Sequence, residues 1–369
     1  MEERTLQRLY YDRQLRVPGW GPHGQEILAH STVLVVGVGG LGCPVLAALV
    51  RSGVGRLIFC DPDTVEASNL PRQSLFSVAD VGLSKVQAAA LVLAGSNPWI
   101  DLEPVAERVT AANVRALVEQ ADLVVDGSDN FSTKFLLHDA CRSAGKPFVM
   151  ASLYQWEAQV NSFDFRRSEP GCWRCLYQVA PEDGCVGVCA QVGVVGALAG
   201  LAGNFQALTA LRLLLGLETA TGCSTWVVNA LDPSPRRLKW KPDPACACAR
   251  GKGDWRWLEA LTATSLREQA PWNLVAPVDR QVVIDLREPQ EILPHEWAWF
   301  EAIGSRVIHA RWSQWHASQP NWDPSTTYLL VCAHGLRSLA AVRTLPPSIR
   351  GLSLTGGIAE LKDMIEGRT

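Results

Sequence analysis

Residues 33–73 read VLVVGVGGLGCPVLAALVRSGVGRLIFCDPDTVEASNLPRQ. A β-branched apolar run, Val33 to Val36, ends in Gly37, Gly39, Gly40 and Gly42, and an apolar helical pattern follows. A second apolar run, Leu57 to Cys60, then delivers Asp61. Strand, glycine loop, helix, strand and acid in this order predict an α/β unit that binds a nucleotide. The glycines let backbone approach a phosphate, and the helix N-terminus adds free N–H groups and the positive end of a dipole. Asp61 lies 19 positions after Gly42, where a ribose-binding acid is expected.

Glycine loops of this kind serve NAD-type dehydrogenases, other nucleotide binders and plain tight turns alike. The surrounding residues separate these readings. Asp63 adds a second carboxylate, followed by Ser68-Asn69-Leu70-Pro71-Arg72-Gln73 and then by Lys85 in GLSKVQAA. Further on, a strand over Leu123 to Val125 ends in Asp126-Gly127-Ser128-Asp129-Asn130. A dehydrogenase has no use for an arginine, a lysine and a second acidic loop around its cofactor, and no hydride-transfer acid or base emerges elsewhere. An enzyme that breaks ATP between its α- and β-phosphates needs cations on the phosphates and a carboxylate for Mg²⁺.

Taken together, GxGGLG, DxDxVxxSNLxRQ, the lysine and DxSDN resemble the MoeB/ThiF adenylyltransferases, relatives of the ubiquitin-activating enzymes. The similarity runs from about Tyr11 to about Cys248 and includes Tyr11-Asp12-Arg13-Gln14. It implies a Rossmann-like domain with a mainly parallel sheet. The implied reaction is attack by the C-terminal glycine carboxylate of a small ubiquitin-like sulfur carrier, ending in Gly-Gly, on the α-phosphate of ATP. By the same resemblance Asp61 holds the ribose, and Asn69, Arg72 and Lys85 handle the phosphates. Gly37, Gly39, Gly40, Gly42, Asp63, Ser68 and Asn130 complete the nucleotide site, and Asp129 binds Mg²⁺. Arg13 reaches a neighbouring subunit's site in this family, which implies a homodimer. Lys134 stands where relatives commonly carry arginine.

Composition is that of a cytoplasmic enzyme with core enough for two domains. The 369 residues carry 34 basic and 37 acidic side chains, so charge gives no case for nucleic acid. The polar start MEERTLQRLYYDRQ is no secretory signal. One apolar stretch, Val192 to Gly216, raises the question of a membrane span, but its glycines, Asn204, Gln206 and Arg212 predict a closely packed core helix instead.

Eleven cysteines sort by neighbourhood rather than into a disulfide framework. Cys172-Trp173-Arg174-Cys175 and Cys246-Ala247-Cys248 are two distant pairs on short loops, the pattern of a tetrahedral structural Zn²⁺ site. The resembled family has CxxC at both places. Here the second pair is one residue short, and four unliganded surface thiols are the competing reading. Cys189, just before a glycine-rich helix, stands on what resembles the family's cysteine loop, where a thiol acts as nucleophile. A small buried hydrophobe is the alternative, and Cys185 competes for the same role.

After Cys248 the sequence turns polar and glycine-containing, which predicts domains at 1–250 and 261–369 joined by a linker over 251–260. The tail alternates strand and helix patterns and resembles a rhodanese domain, a smaller α/β unit. Its centre is Cys332-Ala333-His334-Gly335-Leu336-Arg337-Ser338, a cysteine at a strand end in a loop opening a helix. Loop N–H groups and the helix dipole there would stabilise a thiolate or persulfide, with Arg337 and Ser338 adding donors. Asp285 and Arg287 match the D-x-R-E-P motif, which supports the loop. Gly356-Gly357 match the late glycine pair, though the aromatic residue usual after it is missing. Cysteine phosphatases place their arginine six residues after the cysteine, whereas Arg337 is five after Cys332, a tighter loop that suits sulfur. His309 and His334 read as loop histidines, and the tail's tryptophans carry no mechanistic signature.

Fused, the two domains predict a sulfur-activating enzyme. The first adenylates a carrier C-terminus. The second transfers sulfur to it, from a donor such as a cysteine desulfurase or thiosulfate, to give a thiocarboxylate. An adenylating enzyme without sulfur transfer and a degenerate nucleotide-binding scaffold are the alternatives.

Overall fold

The computed structural model describes residues 3–166, 171–177, 193–217, 223–244, 246, 269–270, 281–292, 306–315, 319–333, 336–346, 348–354 and 358. These divide into two compact units, one with the described residues up to Cys246, the other with those from Gln269 onward. In the first, helices α1 (Glu3–Leu15) and α2 (Gly21–Ala29) precede an eight-stranded sheet. Strands β1 (Thr32–Val36), β2 (Arg56–Cys60), β3 (Asp101–Val105), β4 (Leu123–Asp126) and β5 (Pro147–Tyr154) are parallel, in the order 3-2-1-4-5. Strands β6 (Glu157–Asp164), β7 (Ser224–Asn229) and β8 (Asp232–Lys239) extend it antiparallel.

Continuous apolar runs make β1, β2 and β4 because both of their faces are buried. Leu34, Ile58, Val124 and Phe148 face α5 (Val114–Gln120) and α6 (Phe131–Ala144). Val33, Val35, Leu57, Phe59 and Val125 face the core of α3 (Gly42–Ser52) and α4 (Lys85–Ser96). Truncating one of these side chains, as in Leu57→Ala, would cost roughly 2–5 kcal/mol. After α7 (Trp173–Leu176) comes α8 (Gly196–Leu214), long and apolar enough to cross a membrane. It packs into the core instead, on the small residues Ala199, Ala202, Ala207 and Ala210. A Cβ at Gly203 would stand 2.4 Å from Pro44 Cγ and 2.6 Å from the Leu41 carbonyl oxygen, so glycine sets how closely α8 meets the start of α3.

The second unit is a parallel sheet of β9 (Gln269–Ala270), β10 (Gln281–Asp285), β11 (Arg306–His309), β12 (Thr327–Val331) and β13 (Arg350–Leu354), ordered 11-10-12-13-9. Helix α9 (Leu336–Arg343) follows β12. One face of its core joins Ile284, Tyr328 and Leu330 to Trp312 and Trp315. Trp315 is fully buried and donates its indole N–H to Thr344 Oγ1 at 2.9 Å, so two of the tail's tryptophans are packing residues.

Candidate functional site

Strands β1 and β4 lie side by side, yet the chain leaves them in opposite directions, toward β2 and β3 on one side and β5 on the other. Ligands bind at such a switch point, beyond the carboxyl ends of the strands. Val36, Cys60 and Asp126 end β1, β2 and β4 there, so the glycine loop, Asp61 and the DGSDN loop come together. The glycines divide their work in a way the sequence did not disclose. Gly37, at φ 91°, would carry a Cβ 2.8 Å from the Gly127 backbone, and a Cβ at Gly42 would meet the Gly37 carbonyl at 1.9 Å. These two serve backbone packing. At Gly39 the nearest atom is Gln73 Nε2, 3.9 Å away, which leaves room for a phosphate.

Asp61 is buried, and its Oδ2 accepts the Val38 N–H at 2.7 Å while Oδ1 accepts the Asp63 N–H at 2.9 Å. Burial pushes its carboxyl up, although the Lys85 charge and the two N–H donors pull the other way. A bridge between Thr64 and Ser84 folds the segment after β2 onto the start of α4. Lys85 Nζ consequently lies 2.8 Å from Asp63 Oδ2 and 3.8 Å from Asp61 Oδ1. Lys85 is buried and Asp63 exposed, so the lysine's nearer partner is the outer, solvent-facing acid.

The 68–73 loop is clamped from behind by α8. A Cβ at Gly196 would meet the Pro71 carbonyl at 2.2 Å. Half-buried Arg72 lies beside Gly40, its side chain folded back so that one guanidinium N–H reaches the Ser68 carbonyl at 2.9 Å. Asn69 is buried and donates to Ser68 Oγ at 3.1 Å. Gln73, absent from the sequence-derived site, is buried beside Gly39 with Oε1 lacking a partner among the described residues. Its place in the motif was the available signal. Arg13 is exposed on α1.

In the acidic loop only one of the two aspartates is open. Asp126 is fully buried and paired with Lys134, whose Nζ also donates to the carbonyls of Ser128 and Ala151 at 2.8 and 2.6 Å. All three ammonium donors are used in joining β4 to β5. Asp129 is exposed, and among the described residues no hydrogen bond or ion pair holds its carboxylate. Asn130 caps α6, its Oδ1 accepting the Thr133 N–H at 2.8 Å.

In the same unit, Cys172 Sγ lies 3.7 Å from both Cys175 Sγ and Cys246 Sγ, and all three sulfurs fall within 4.8 Å of one another. Sulfurs around a tetrahedral Zn²⁺ at Zn–S of 2.3 Å stand about 3.8 Å apart, and disulfide sulfurs about 2.05 Å. The spacing suits a metal. Cys248, Cys185 and Cys189 lie outside the described residues. Behind the cluster, the Trp173 N–H donates to His138 Nε2 at 3.0 Å, so the imidazole proton sits on Nδ1, 2.8 Å from Asp139 Oδ1. Burial pushes the His138 pKa down and keeps it neutral. Asp139 also accepts both ends of the Arg174 guanidinium. Burial works against that carboxylate, but His138 and Arg174 outweigh it and hold its pKa below the usual range.

Cys43 and Cys60 are buried packing groups of this unit. Burial pushes Cys43 and Cys60 up to about 12. In the second unit, Cys332 is buried one residue beyond β12, and its sulfur receives the Ser338 N–H at 3.4 Å with Ser338 Oγ at 3.5 Å. Arg337 makes no hydrogen bond to the Cys332 sulfur among the described residues. Its guanidinium pairs bidentately with Glu291 at 2.8 and 2.6 Å. Arg287 is buried against Asp285 at 2.8 Å and reaches the Glu291 carbonyl at 3.3 Å, so the DxREP segment positions the acid that holds Arg337. His309 ends β11 rather than standing in a loop, and its Nε2 is hydrogen-bonded to the Arg287 carbonyl at 2.7 Å.

Comparison with known proteins is consistent with both halves. Residues 11–248 match the ThiF family. The SAMP-activating enzyme E1 of Haloferax volcanii is 40% identical over 245 residues, covering 66% of this chain and 90% of its own. The adenylyltransferase/sulfurtransferase MoeZ of Mycobacterium tuberculosis is 33% identical over 364 residues, 94% of this chain and 91% of its own. Among solved structures, E. coli MccB with MccA superposes at a TM-score of 0.58 and 20% identity, covering 66% of this chain and 74% of that one, a likeness of fold. With its family match spanning well over half of the residues, the chain belongs to the ThiF family.

Proposed function

We propose that the protein adenylates the C-terminal glycine of a small ubiquitin-like sulfur carrier with ATP, then transfers sulfur to it from a persulfide on Cys332, giving a thiocarboxylate. The observation that carries this reading is the pairing, within one chain, of an open cation-and-acid crevice with a strand-end cysteine whose sulfur receives an N–H. MoeZ, which matches along nearly the whole chain, is named for both activities, and the Haloferax relative is named for activating SAMP.

In the crevice, Asp61 takes the ribose hydroxyls and Gly39 and Gly40 admit the phosphates. Lys85 exchanges Asp63 for phosphate oxygen, while Arg72 and Asn69 turn toward the same group. The carrier carboxylate attacks the α-phosphorus, the bond to the bridging oxygen breaks, and pyrophosphate leaves as these cations offset the developing charge. Asp129 supplies the carboxylate for Mg²⁺, which when bound neutralises the phosphates. Arg13 reaches the neighbouring subunit's crevice, making the unit a homodimer in the cytoplasm. Zn²⁺ held by Cys172, Cys175, Cys246 and Cys248 ties their loops together. The chain calls for neither a nucleic acid nor a membrane.

In the second step, Cys332 thiolate attacks the outer sulfur of thiosulfate, or of a desulfurase persulfide, and sulfite or the donor thiol leaves. The resulting persulfide attacks the acyl-adenylate carbon and AMP departs. A second thiol, Cys189 or an external one, cleaves the acyl disulfide and releases the thiocarboxylate. Incubation with a Gly-Gly-ending carrier, ATP, Mg²⁺, thiosulfate and a thiol should raise the carrier mass by about 16 Da, one oxygen replaced by sulfur. A carrier that gains the adenylate but never the sulfur would reduce the protein to an adenylating enzyme.

A further inference from the structure

The Cys172–Cys175 turn is held by more than its own residues. Its central N–H, on Trp173, is taken by His138 Nε2 at 3.0 Å, and its central charge, on Arg174, is taken by the Asp139 carboxylate at 2.9 Å. His138 and Asp139 are adjacent on α6, are both buried, and are joined at 2.8 Å through Nδ1. His138 is further wedged edge-on against Phe148, Phe163 and Phe165, which fixes its ring plane. Fully buried, this histidine has one hydrogen-bonding direction toward the turn and one toward the acid. Two adjacent α6 side chains therefore fix the two residues that separate a pair of sulfurs 3.7 Å apart.

We infer that His138 and Asp139 are positioning residues for a thiolate-bound divalent metal at Cys172, Cys175 and Cys246, with Arg174 as its charge partner. Three or four thiolates around one divalent ion leave net negative charge, and the Arg174 guanidinium, on the intervening residue, offsets it. Asp139 holds that guanidinium in place and fixes which imidazole nitrogen carries the proton, so Nε2 always accepts. Neither residue touches the metal. Partners of this indirect kind typically change metal affinity by about 10–100-fold. The inference rests on reading the sulfurs as a Zn²⁺ site.

The test uses full-length protein and measures zinc per chain, then its release rate to a colorimetric chelator. His138→Asn keeps a donor for Asp139 but is too short to accept from Trp173. His138→Gln can place an oxygen where Nε2 stands. Zinc should leave His138→Asn at least tenfold faster than wild type, and leave His138→Gln within about threefold of it. Arg174→Gln, at a more exposed position, should accelerate release as well, and it keeps the test alive if the histidine variants do not fold. A merely structural histidine would lower the melting temperature of metal-free and metal-loaded protein equally. The inferred role lowers that of the loaded form further than that of the metal-free form. Wild-type release rates in both His138→Asn and Arg174→Gln would overturn the inference while leaving the zinc site standing. Wild-type protein without zinc would overturn both.

Discussion

At the end of β12 a single buried sulfur, on Cys332, faces an N–H and a hydroxyl of Ser338, whereas at the Cys172 turn three sulfurs face one another 3.7 Å and more apart. Donors around one sulfur stabilise an anion that can be passed on. Sulfurs grouped about one point suit a cation that stays. Each unit also holds an arginine close to its cysteines, Arg337 in one and Arg174 in the other, and each arginine is pinned by a carboxylate, Glu291 or Asp139. The chemistry therefore follows from what surrounds the thiols. Nothing in the CxxC or CxxxxR spacing alone distinguishes a group that is transferred from one that is retained.

The sharpest way to break this comparison is to remove the single sulfur. Cys332→Ala should form no carrier thiocarboxylate from thiosulfate, a complete loss, while carrier-dependent ATP–pyrophosphate exchange stays at the wild-type rate, because adenylation involves only carboxylate and phosphate. Carrier mass and exchange of labelled pyrophosphate read the two steps separately. Persistent thiolation by Cys332→Ala would show that the strand-end sulfur is not the donor.

Next in size is the open acid of the first unit. Asp129→Ala should lower pyrophosphate exchange by roughly a hundredfold or more, the cost of one lost charge contact in a phosphoryl transition state. Persulfide formation on Cys332 should be untouched. Asp126→Ala is the contrast. It leaves the Lys134 ammonium buried without its carboxylate, so it should destabilise the protein by about 3–5 kcal/mol rather than act on the chemistry alone.

Third is the cluster. Cys172→Ser should lose its zinc by elemental analysis and melt well below wild type, since structural zinc contributes folding free energy directly. If the variant is metal-free but equally stable, or the wild type never carried metal, the three-sulfur region is a packing cluster and the contrast with Cys332 disappears.

Much of this was legible from residues 33–85, 123–130 and 328–338, because continuous apolar runs, with glycines, acids or a cysteine at strand ends, are local signals. The parallel core, Asp61, Lys85 and the strand-end position of Cys332 all follow from such patterns. What the sequence hid depends on long-range backbone approach. It did not reveal that Gly37 and Gly42 serve the crossing with Gly127 while a Cβ at Gly39 would touch only Gln73. Nor could spacing foresee that Arg337 turns to Glu291, 46 residues earlier, or that Trp173 rests on His138. Asn130, expected in the nucleotide site, also caps α6 with its side-chain oxygen, which no motif announces. The antiparallel strands β6 to β8 lacked any motif of their own, and the buried tail tryptophans gave composition without placement.

The smallest expected effect tests the arginine–carboxylate pin of the second unit through pH. Burial pushes the Glu291 carboxyl up, but the Arg337 hydrogen bonds and charge outweigh this and hold it below the ordinary glutamate value. A carboxyl depressed in the folded state adds stability that is fully present above its unfolded value, about 4.3, and that is lost as pH falls through the folded value. Wild-type protein should therefore lose stability in this unit as the pH drops below about 4. Glu291→Gln should start lower at neutral pH and lose less across the same window, since it carries no titrating group there. The pair is partly exposed, so the effect should shrink with added salt. Urea midpoints at pH 7 and at about pH 3, monitored on the tryptophans of this unit, would measure it. Parallel pH profiles for wild type and Glu291→Gln would mean that the Arg337 pairing seen here does not hold the loop beside Cys332.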